Sequence, residues 1–260
     1  MSFWEHIEAL RWHLIRSVAA IVVFGLIAFM NRHFIFDEVL LSPISSDFIT
    51  TRWLCVLADW VGAPSLCLDN SKLRVINISM SGQFMTHMYI SFMSGLVVAF
   101  PYVIWEIWRF IKPALRPQER RYSGAAVTVI SVLFLGGVLF SYYLIVPMTV
   151  NFLGTYQVSE SVENQVSLNS YISTVVSLSF SMGIVFELPV LVFFLAKVGI
   201  ISAALMKQYR KFMIVVIFIV AAIITPPDAF SQMMVAIPLL LLYEISIVVA
   251  RKAGKNTSQA

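Results

Sequence analysis

The stretch SFSMGIVFELPVLVFFLAKV, residues 179–198, is a run of apolar side chains with one carboxylate, Glu187, near its middle. The hydrocarbon core of a bilayer is about 30 Å thick, and about 20 helical residues cross it. This run therefore predicts a membrane-spanning helix that carries an acid near its centre. An acid at that depth is costly, so it usually faces protein or water and is a candidate functional residue.

The composition of the whole chain agrees with a membrane protein. Hydrophobic residues make up 59% of the 260 residues and charged residues only 12%, which is more apolar than a soluble domain requires. Because the strict alternation of a membrane barrel is absent, the apolar runs predict helices. The predicted spans cover approximately residues 13–30, 84–105, 124–153, 171–196, 212–224 and 233–250. The predicted fold class is an all-α integral membrane protein with six transmembrane helices, of which helices five and six are short.

Basic residues are concentrated in alternate connections, and this predicts the orientation. Fourteen of the 18 lysines and arginines lie at the N-terminus, in the second and fourth connections, and at the C-terminus. Cations near span ends are retained in the cytoplasm, so both termini are predicted to be cytoplasmic. Residues 1–260 then form one membrane domain, with a cytoplasmic amphipathic helix at 1–13, a long outward-facing loop at 31–83 and a cytoplasmic tail at 251–260. The net charge of +4 follows from this topology and indicates no nucleic-acid partner.

Both cysteines of the chain, Cys55 and Cys67, fall in the predicted outward-facing loop. An oxidising compartment permits a disulfide between them, and two free thiols are the alternative. The four histidines show no metal-binding spacing, and the sequence contains neither a nucleotide-binding loop nor a hydrolase motif. The sequence therefore predicts no enzyme activity, no cofactor and no metal.

The N-terminal segment SFWEHIEALRWHLIRS, residues 2–17, has helical spacing. Its apolar residues form one stripe, and Glu5 and Glu8 lie on the opposite side. Two interpretations stay open at this point. The acids belong to the solvated face of a helix at the membrane surface, or they form an acidic cytoplasmic surface that receives a basic partner.

A second charged segment is FPYVIWEIWRFIKPALRPQERR, residues 100–121, in which Glu119 lies among five cations. Glu119 is either neutralised by the adjacent Arg120 or Arg121, or reserved for an incoming guanidinium group. Carboxylate and guanidinium groups pair through two parallel hydrogen bonds, so two acids on one surface suit a ligand with two adjacent arginines.

Two proline-containing segments lie within the later spans. Pro189 lacks a backbone donor, so the helix is predicted to bend beside Glu187 and expose polar backbone there. The alternative interpretation is that Glu187 is protonated and forms a hydrogen bond to a neighbouring helix. TPPDAFSQ, residues 225–232, follows a predicted span that rises only about 20 Å. This short hairpin either thins the lipid or leaves the turn, with Asp228 and Gln232, below the outer surface.

These motifs, in this order along nearly the whole chain, resemble the TatC family, the multispanning subunit of the twin-arginine protein translocase. The residues that carry the resemblance are His6 to Arg11 (H-I-E-A-L-R), Pro43, Phe100, Pro101, Trp108, Phe110, Pro113, Leu115, Glu119, Arg120, Arg121, Phe186, Glu187, Pro189 and Thr225 to Gln232. The resemblance implies a receptor in the cell inner membrane for folded cargo whose signal peptides carry paired arginines.

The resemblance also implies site residues and partners. Glu119 matches one family carboxylate. The position of the other family carboxylate is occupied by Ala9 here. Glu5, one turn before Ala9, or Glu8, one residue before it, is predicted to supply the missing carboxylate. The predicted signal-peptide site comprises Glu119, Glu8, Glu5, Arg11, Arg120 and Arg121. The predicted intramembrane contacts, either with single-span subunits of the TatA or TatB type or with the deeper part of the signal peptide, are made by Glu187, Pro189, Asp228, Gln232, Pro43 and Phe186. Self-association in a larger complex is also expected.

A proton- or cation-coupled secondary transporter is the alternative, with Glu187 and Asp228 as the ion-carrying acids. Such transporters are typically built from repeated halves with paired broken helices. The sequence shows no such repeat.

Overall fold

The computed structural model of the chain is almost entirely helical. It describes residues 3–45, 47–62, 67, 73–114, 123–159 and 164–257. The α-helices are α1 (Phe3–Met30), α2 (Ile49–Val61), α3 (Gly82–Ile111), α4 (Ser123–Phe140), α5 (Val146–Thr155), α6 (Leu168–Val185), α7 (Leu188–Lys197), α8 (Ala203–Gln208), α9 (Arg210–Ile224) and α10 (Ala229–Thr257). Shorter turns of π-helix and 3₁₀-helix lie at Phe34–Leu40, Ser42–Ile44, Lys112–Ala114 and Ser141–Ile145. The two-residue strands β1 (Val75–Ile76) and β2 (Val166–Ser167) pair in parallel.

Among the described residues, five helical stretches are long and apolar enough to cross a membrane. They are Ile7–Met30, Gly82–Ile111, Ala126–Thr155, Leu168–Lys197 and Ala229–Gly254. The prediction of a helical protein with several spans is therefore confirmed. The third of these stretches joins α4 to α5 through a π-helical turn, and the fourth joins α6 to α7 through a break at Glu187.

The predicted fifth span corresponds to α9, a helix of 15 residues. Such a helix rises about 22 Å, which is less than the hydrocarbon thickness of a bilayer. Helix α9 ends at Ile224, just before the two prolines of the following turn. Proline has no backbone N–H to donate to the helix, so it stops the helix there. That α9 crosses the membrane as a sixth span remains a prediction.

The prediction that the sixth helix is short is wrong. Helix α10 has 29 residues, and 26 of them, Ala229–Gly254, form the apolar stretch described above. The sequence predicts a helix end at Ala250 because the cations Arg251 and Lys252 come next. These two residues instead continue the helix. Long basic side chains extend their charged ends into water, so a helix need not end where the apolar run ends.

Helix α1 runs without interruption from Phe3 to Met30. The segment predicted as an amphipathic helix at 1–13 and the first predicted span are therefore one helix within the described residues. The predicted loop at 31–83 contains helix α2, and the predicted tail at 251–260 continues α10 as far as Thr257.

Helices α1 and α3 pack as a close antiparallel pair. At mid-height, a Cβ atom added to Gly95 would lie only 2.6 Å from the backbone nitrogen of Gly25, so the two backbones approach as only glycine allows. Nearer the end of α1, His87 Nε2 donates to the carbonyl oxygen of Phe29 at 3.1 Å, and the two rings stack. These contacts fix the register of α1 against α3.

The remaining helices pack around α6 and α10. Helices α4 and α6 approach closely, because a Cβ atom at Gly137 would lie 2.6 Å from the Met182 carbonyl oxygen. The most deeply buried core side chains are aliphatic, aromatic or sulfur-containing and include Phe134, Ile145, Ile172, Leu178, Met182, Val235 and Leu239. This core holds the break at Glu187 and the start of α10 in place.

Candidate functional site

The predicted signal-peptide site lies partly within the described residues. Glu8 is exposed on α1, and Arg11, also exposed, places its guanidinium group 5.6 Å from the ring centre of Trp12. Glu5 lies in α1, but nothing is described of its side chain. Glu119, Arg120 and Arg121 lie outside the described residues. The grouping of the predicted carboxylates therefore stays a prediction.

A buried polar cluster joins α1 to α3 beside this site. Glu106 on α3 is only 1% exposed, and both of its carboxylate oxygens accept hydrogen bonds. His13 Nδ1 on α1 donates to Oε2, and the Tyr102 hydroxyl, one turn earlier on α3, donates to Oε1 at 3.0 Å. Phe110 contacts the His13 ring edge-on with centroids 6.0 Å apart. The cluster is a direct polar link between the two helices.

The sequence alone does not predict this cluster. Glu106 lies in segment 100–121, where the predicted functional acid is Glu119. A lone carboxylate one turn and a half before the end of an apolar helix was the available signal. Its partner His13 is 93 positions away along the chain, so the pairing was not visible.

Glu187 lies in the break between α6 and α7. Phe186 and Glu187 adopt a turn, and the buried Pro189 sits in the first turn of α7, where its missing donor is not needed. Glu187 Oε1 is buried and has no hydrogen-bond partner among the described residues. An unpaired buried oxygen costs about 1–3 kcal/mol, so a hydrogen-bond donor brought to Oε1 would be stabilising.

Phe186 anchors the same break against α4. Its ring lies 5.5 Å from that of Phe140, and a Cβ atom at Gly137 would come within 2.8 Å of it. The phenyl group thus occupies the space that the glycine leaves. Phe186 acts within the chain by holding the turn that carries Glu187.

The turn before α10 contains Asp228 and Gln232. Asp228 Oδ1 accepts a hydrogen bond from the backbone nitrogen of Ser231 at 2.6 Å and so caps the start of α10. Its other oxygen, Oδ2, is buried without a partner in the described part of the chain. Gln232 Nε2 donates to the carbonyl oxygen of Phe218 on α9 at 3.0 Å, which ties the two helices of the hairpin together.

Pro43 is buried in the 3₁₀ turn Ser42–Ile44. The chain just before it is held by two tyrosines of the bundle. The Tyr142 hydroxyl donates to the Val39 carbonyl at 2.6 Å, and the Tyr171 hydroxyl donates to the Leu40 carbonyl at 2.5 Å. This segment is therefore fixed to the end of the helices rather than extended away from them.

Cys55 on α2 and Cys67 form a disulfide, with their Cα atoms 4.2 Å apart. Of the two states that the sequence leaves open, the structure has the bridged one. Across the described ranges, His, Cys, Asp and Glu side chains do not come together in groups that could hold a metal ion.

Comparison with known proteins assigns the chain to a family. Residues 5–238 match the family model described as "Sec-independent protein translocase protein (TatC)". The Sec-independent protein translocase protein TatC of Blattabacterium sp. subsp. Periplaneta americana is 39% identical over 258 residues, which cover 98% of this chain and 97% of that protein. The TatC protein of Carboxydothermus hydrogenoformans is 34% identical over 252 residues, covering 96% and 93%.

Solved structures give the same result. A crystal structure of "Twin Arginine Translocase Receptor- TatC" is 32% identical, with a TM-score of 0.74, and covers 95% of this chain and 99% of that chain. A second crystal structure, of the same receptor in DDM, has a TM-score of 0.76 at the same identity and coverage. Sequence and fold therefore agree over nearly the full length.

Proposed function

Since the chain belongs to the TatC family, and is thus a membrane subunit of the twin-arginine translocase, we propose that it is the receptor for signal peptides with paired arginines. It binds these peptides, and with them folded cargo, at the end of the bundle formed by α1 and α3. The observation that carries the proposal is Glu8, an exposed acid on α1 close to the end of α3. The related solved structure is described as a receptor, which supports the assignment.

The proposed topology has six spans with both termini in the cytoplasm of the cell inner membrane. Its support is the basic residues of the N-terminus, the second and fourth connections and the C-terminus. Helix α9 is the short fifth span, and lipid thins around it or the turn at Asp228 lies below the surface. Glu8 and the connection that carries Glu119 then lie on the cytoplasmic side together.

Recognition is proposed to occur through bidentate pairing of carboxylates with the two guanidinium groups. Glu119 supplies one carboxylate, and Glu8 or Glu5 supplies the one that Ala9 lacks. Lysine has a compact ammonium group without the planar fork of arginine, so a paired-lysine peptide fits this arrangement less well. The adjacent cations Arg11, Arg120 and Arg121 reduce the net negative charge of the site. Basic peptides that lack paired arginines are therefore bound less strongly.

Partner assembly is proposed to use the break at Glu187 and the turn at Asp228. Each has a buried oxygen without a partner among the described residues. A polar side chain on a single-span subunit of the TatA or TatB type would satisfy such an oxygen within the lipid. Pro189, Phe186, Gln232 and the fixed Pro43 segment shape the surfaces around these two acids, and copies of the chain associate in the larger complex.

The proposed receptor is tested by photo-crosslinking a signal peptide to the full chain in membranes. A paired-arginine peptide should label the chain at least about tenfold more efficiently than its paired-lysine form, since a charged hydrogen-bonded pair contributes about 1.5–3 kcal/mol. Glu119→Ala should weaken labelling, and replacing Glu5 and Glu8 together with Gln should weaken it more than either alone.

The matched control for this experiment is Glu244→Gln. Glu244 is an exposed acid on α10 that pairs with Arg210 at 2.8 Å, so the variant changes the charge equally but away from the site. Labelling should stay at the level of the unmodified chain. Equal labelling by the arginine and lysine peptides would refute the receptor proposal.

The transporter alternative receives no support. The relatives named above are translocase proteins, and the matching solved structures are of a translocase receptor. The acids Glu187 and Asp228 are therefore assigned to assembly and transport of protein cargo.

A further inference from the structure

Helices α1 and α3 are held together at three heights, and each contact is of a different kind. From the Met30 end of α1 towards its N-terminus, the contacts are Phe29 with His87, Gly25 with Gly95, and His13 with Glu106, whose other oxygen accepts from Tyr102 on α3 itself. The first is a stacked ring pair, the second a close backbone approach, and the third a buried polar cluster. Together they allow one antiparallel register.

The register at the polar cluster determines what lies beyond it. Glu8 comes five residues before His13, and Ile111 comes five residues after Glu106. Both helices rise about 1.5 Å per residue, so Glu8 lies level with Ile111, the last residue of α3. The chain continues from there into residues 115–122, which carry Glu119. The contact at Glu106 therefore sets the position of Glu8 relative to the start of that connection.

A buried polar contact adds little to stability, but it fixes the alignment of the two helices that it joins. Replacing a buried ion pair with apolar residues of similar volume is often neutral or stabilising, whereas a buried polar group in the right place fixes alignment in some helical assemblies. The hydrogen bond between His13 and Glu106 is directional, and a slide of α1 along α3 would break it, whereas Tyr102 lies on α3 with Glu106 and holds the carboxylate in place. Apolar side chains at the same positions would tolerate such a slide.

We propose that His13, Glu106 and Tyr102 are positioning residues of the receptor: they lock α1 against α3 so that the acids of α1 stand at a fixed distance from the connection that carries Glu119. The proposal rests on the receptor function proposed above. It assigns these three residues no contact with the peptide. Their effect is to hold Glu8 at a fixed height beside the end of α3, from which the connection that carries Glu119 continues.

The test compares three variants of the full chain in membranes. His13→Leu combined with Glu106→Leu removes the polar cluster and keeps the site filled and apolar. Glu106→Gln is the conservative variant, which keeps an amide oxygen and the side-chain length. Glu244→Gln is the matched control, because it changes an exposed acid on α10, away from the α1–α3 pair.

Two quantities are measured for each variant. The first is the distance distribution between spin labels on cysteines introduced at Ile7 and Lys112, which are exposed near the ends of α1 and α3. The second is the affinity for the paired-arginine peptide. The double leucine variant should fold, show a broader distance distribution and bind at least about tenfold more weakly, since small misplacements of binding groups are costly. Glu106→Gln should recover most of the affinity, and Glu244→Gln should leave it unchanged.

The proposal is overturned if the double leucine variant binds the peptide as the unmodified chain does, whatever its distance distribution. It is also overturned if binding falls while the distance distribution stays narrow, because the residues would then act by contact rather than by positioning. Failure of the receptor function itself looks different. In that case the unmodified chain fails to prefer the arginine peptide over the lysine peptide, although its distance distribution is narrow.

Discussion

Buried acids occur in two regions of the molecule in opposite states. At the α1–α3 end, both oxygens of Glu106 accept hydrogen bonds from within the chain. Around the α6–α7 break and the start of α10, Glu187 and Asp228 each keep a buried oxygen without a partner among the described residues. At the α1–α3 end, the buried carboxylate is thus completed by donors from the single chain. The proposed contacts of Glu187 and Asp228 with a partner subunit would use the oxygens that the described residues leave unpaired.

The largest expected effect of a substitution on stability is at Glu106. Glu106→Ala leaves the half-buried His13 and Tyr102 side chains without their acceptor, and removal of one partner from a buried pair costs about 3 kcal/mol. Thermal unfolding of the full chain in detergent measures the change. Tyr102→Phe removes only one hydrogen bond and should cost about 1 kcal/mol. If Glu106→Ala unfolds at the temperature of the unmodified chain, the α1–α3 end is not the completed region described here.

A smaller effect is expected at Gln232, which belongs to the second region but has a partner. Gln232→Ala removes its hydrogen bond to the Phe218 carbonyl and should destabilise the α9–α10 hairpin by about 1 kcal/mol. Faster hydrogen exchange along α9 reports the loss. The adjacent exposed Met233→Ala is the control and should leave exchange unchanged. Unchanged exchange in the Gln232 variant would mean that the hairpin is held by packing alone.

The smallest effect on stability is expected at Glu187, together with a large effect on transport. Glu187→Gln removes no hydrogen bond from the buried Oε1, so unfolding of the isolated chain should shift by less than about 0.5 kcal/mol. Export of a folded reporter in cells should fall, because the acid is proposed to meet a partner subunit. Ile184→Ala, at an exposed position one turn earlier, serves as the control. Normal export by the Glu187 variant would give this acid a purely structural role.

Five of the six predicted spans correspond to long apolar helical stretches of the described residues, because each rests on a local apolar run. The ends of helices are predicted less well where a charged residue is assumed to mark the end of the helix. The run ending at Ala250 stops at Arg251, yet α10 continues to Thr257, and the acids near Glu5 and Glu8 suggested a separate surface helix, yet α1 is continuous. Charged side chains extend from a helix into water without ending it, so composition marks the membrane boundary and not the helix boundary.

The same contrast applies to the candidate site. Glu187 was found from the sequence because the signals, an acid in an apolar run and a proline two residues later, are adjacent. Glu106 was missed because its meaning depends on His13, which only the fold brings near. The Asp228 cap follows from a local turn and was anticipated as a turn, whereas the hydrogen bond from Gln232 to α9 required the packing of two helices.

The central claim is that paired arginines are read by acids at the end of the α1–α3 pair. It is tested most directly by placing a photoreactive group directly beside the two arginines of a signal peptide and mapping the adducts on the full chain in membranes. The account predicts adducts in α1 around Glu8 and in residues 115–122. Adducts concentrated instead at the outward loop, residues 31–83, would contradict it.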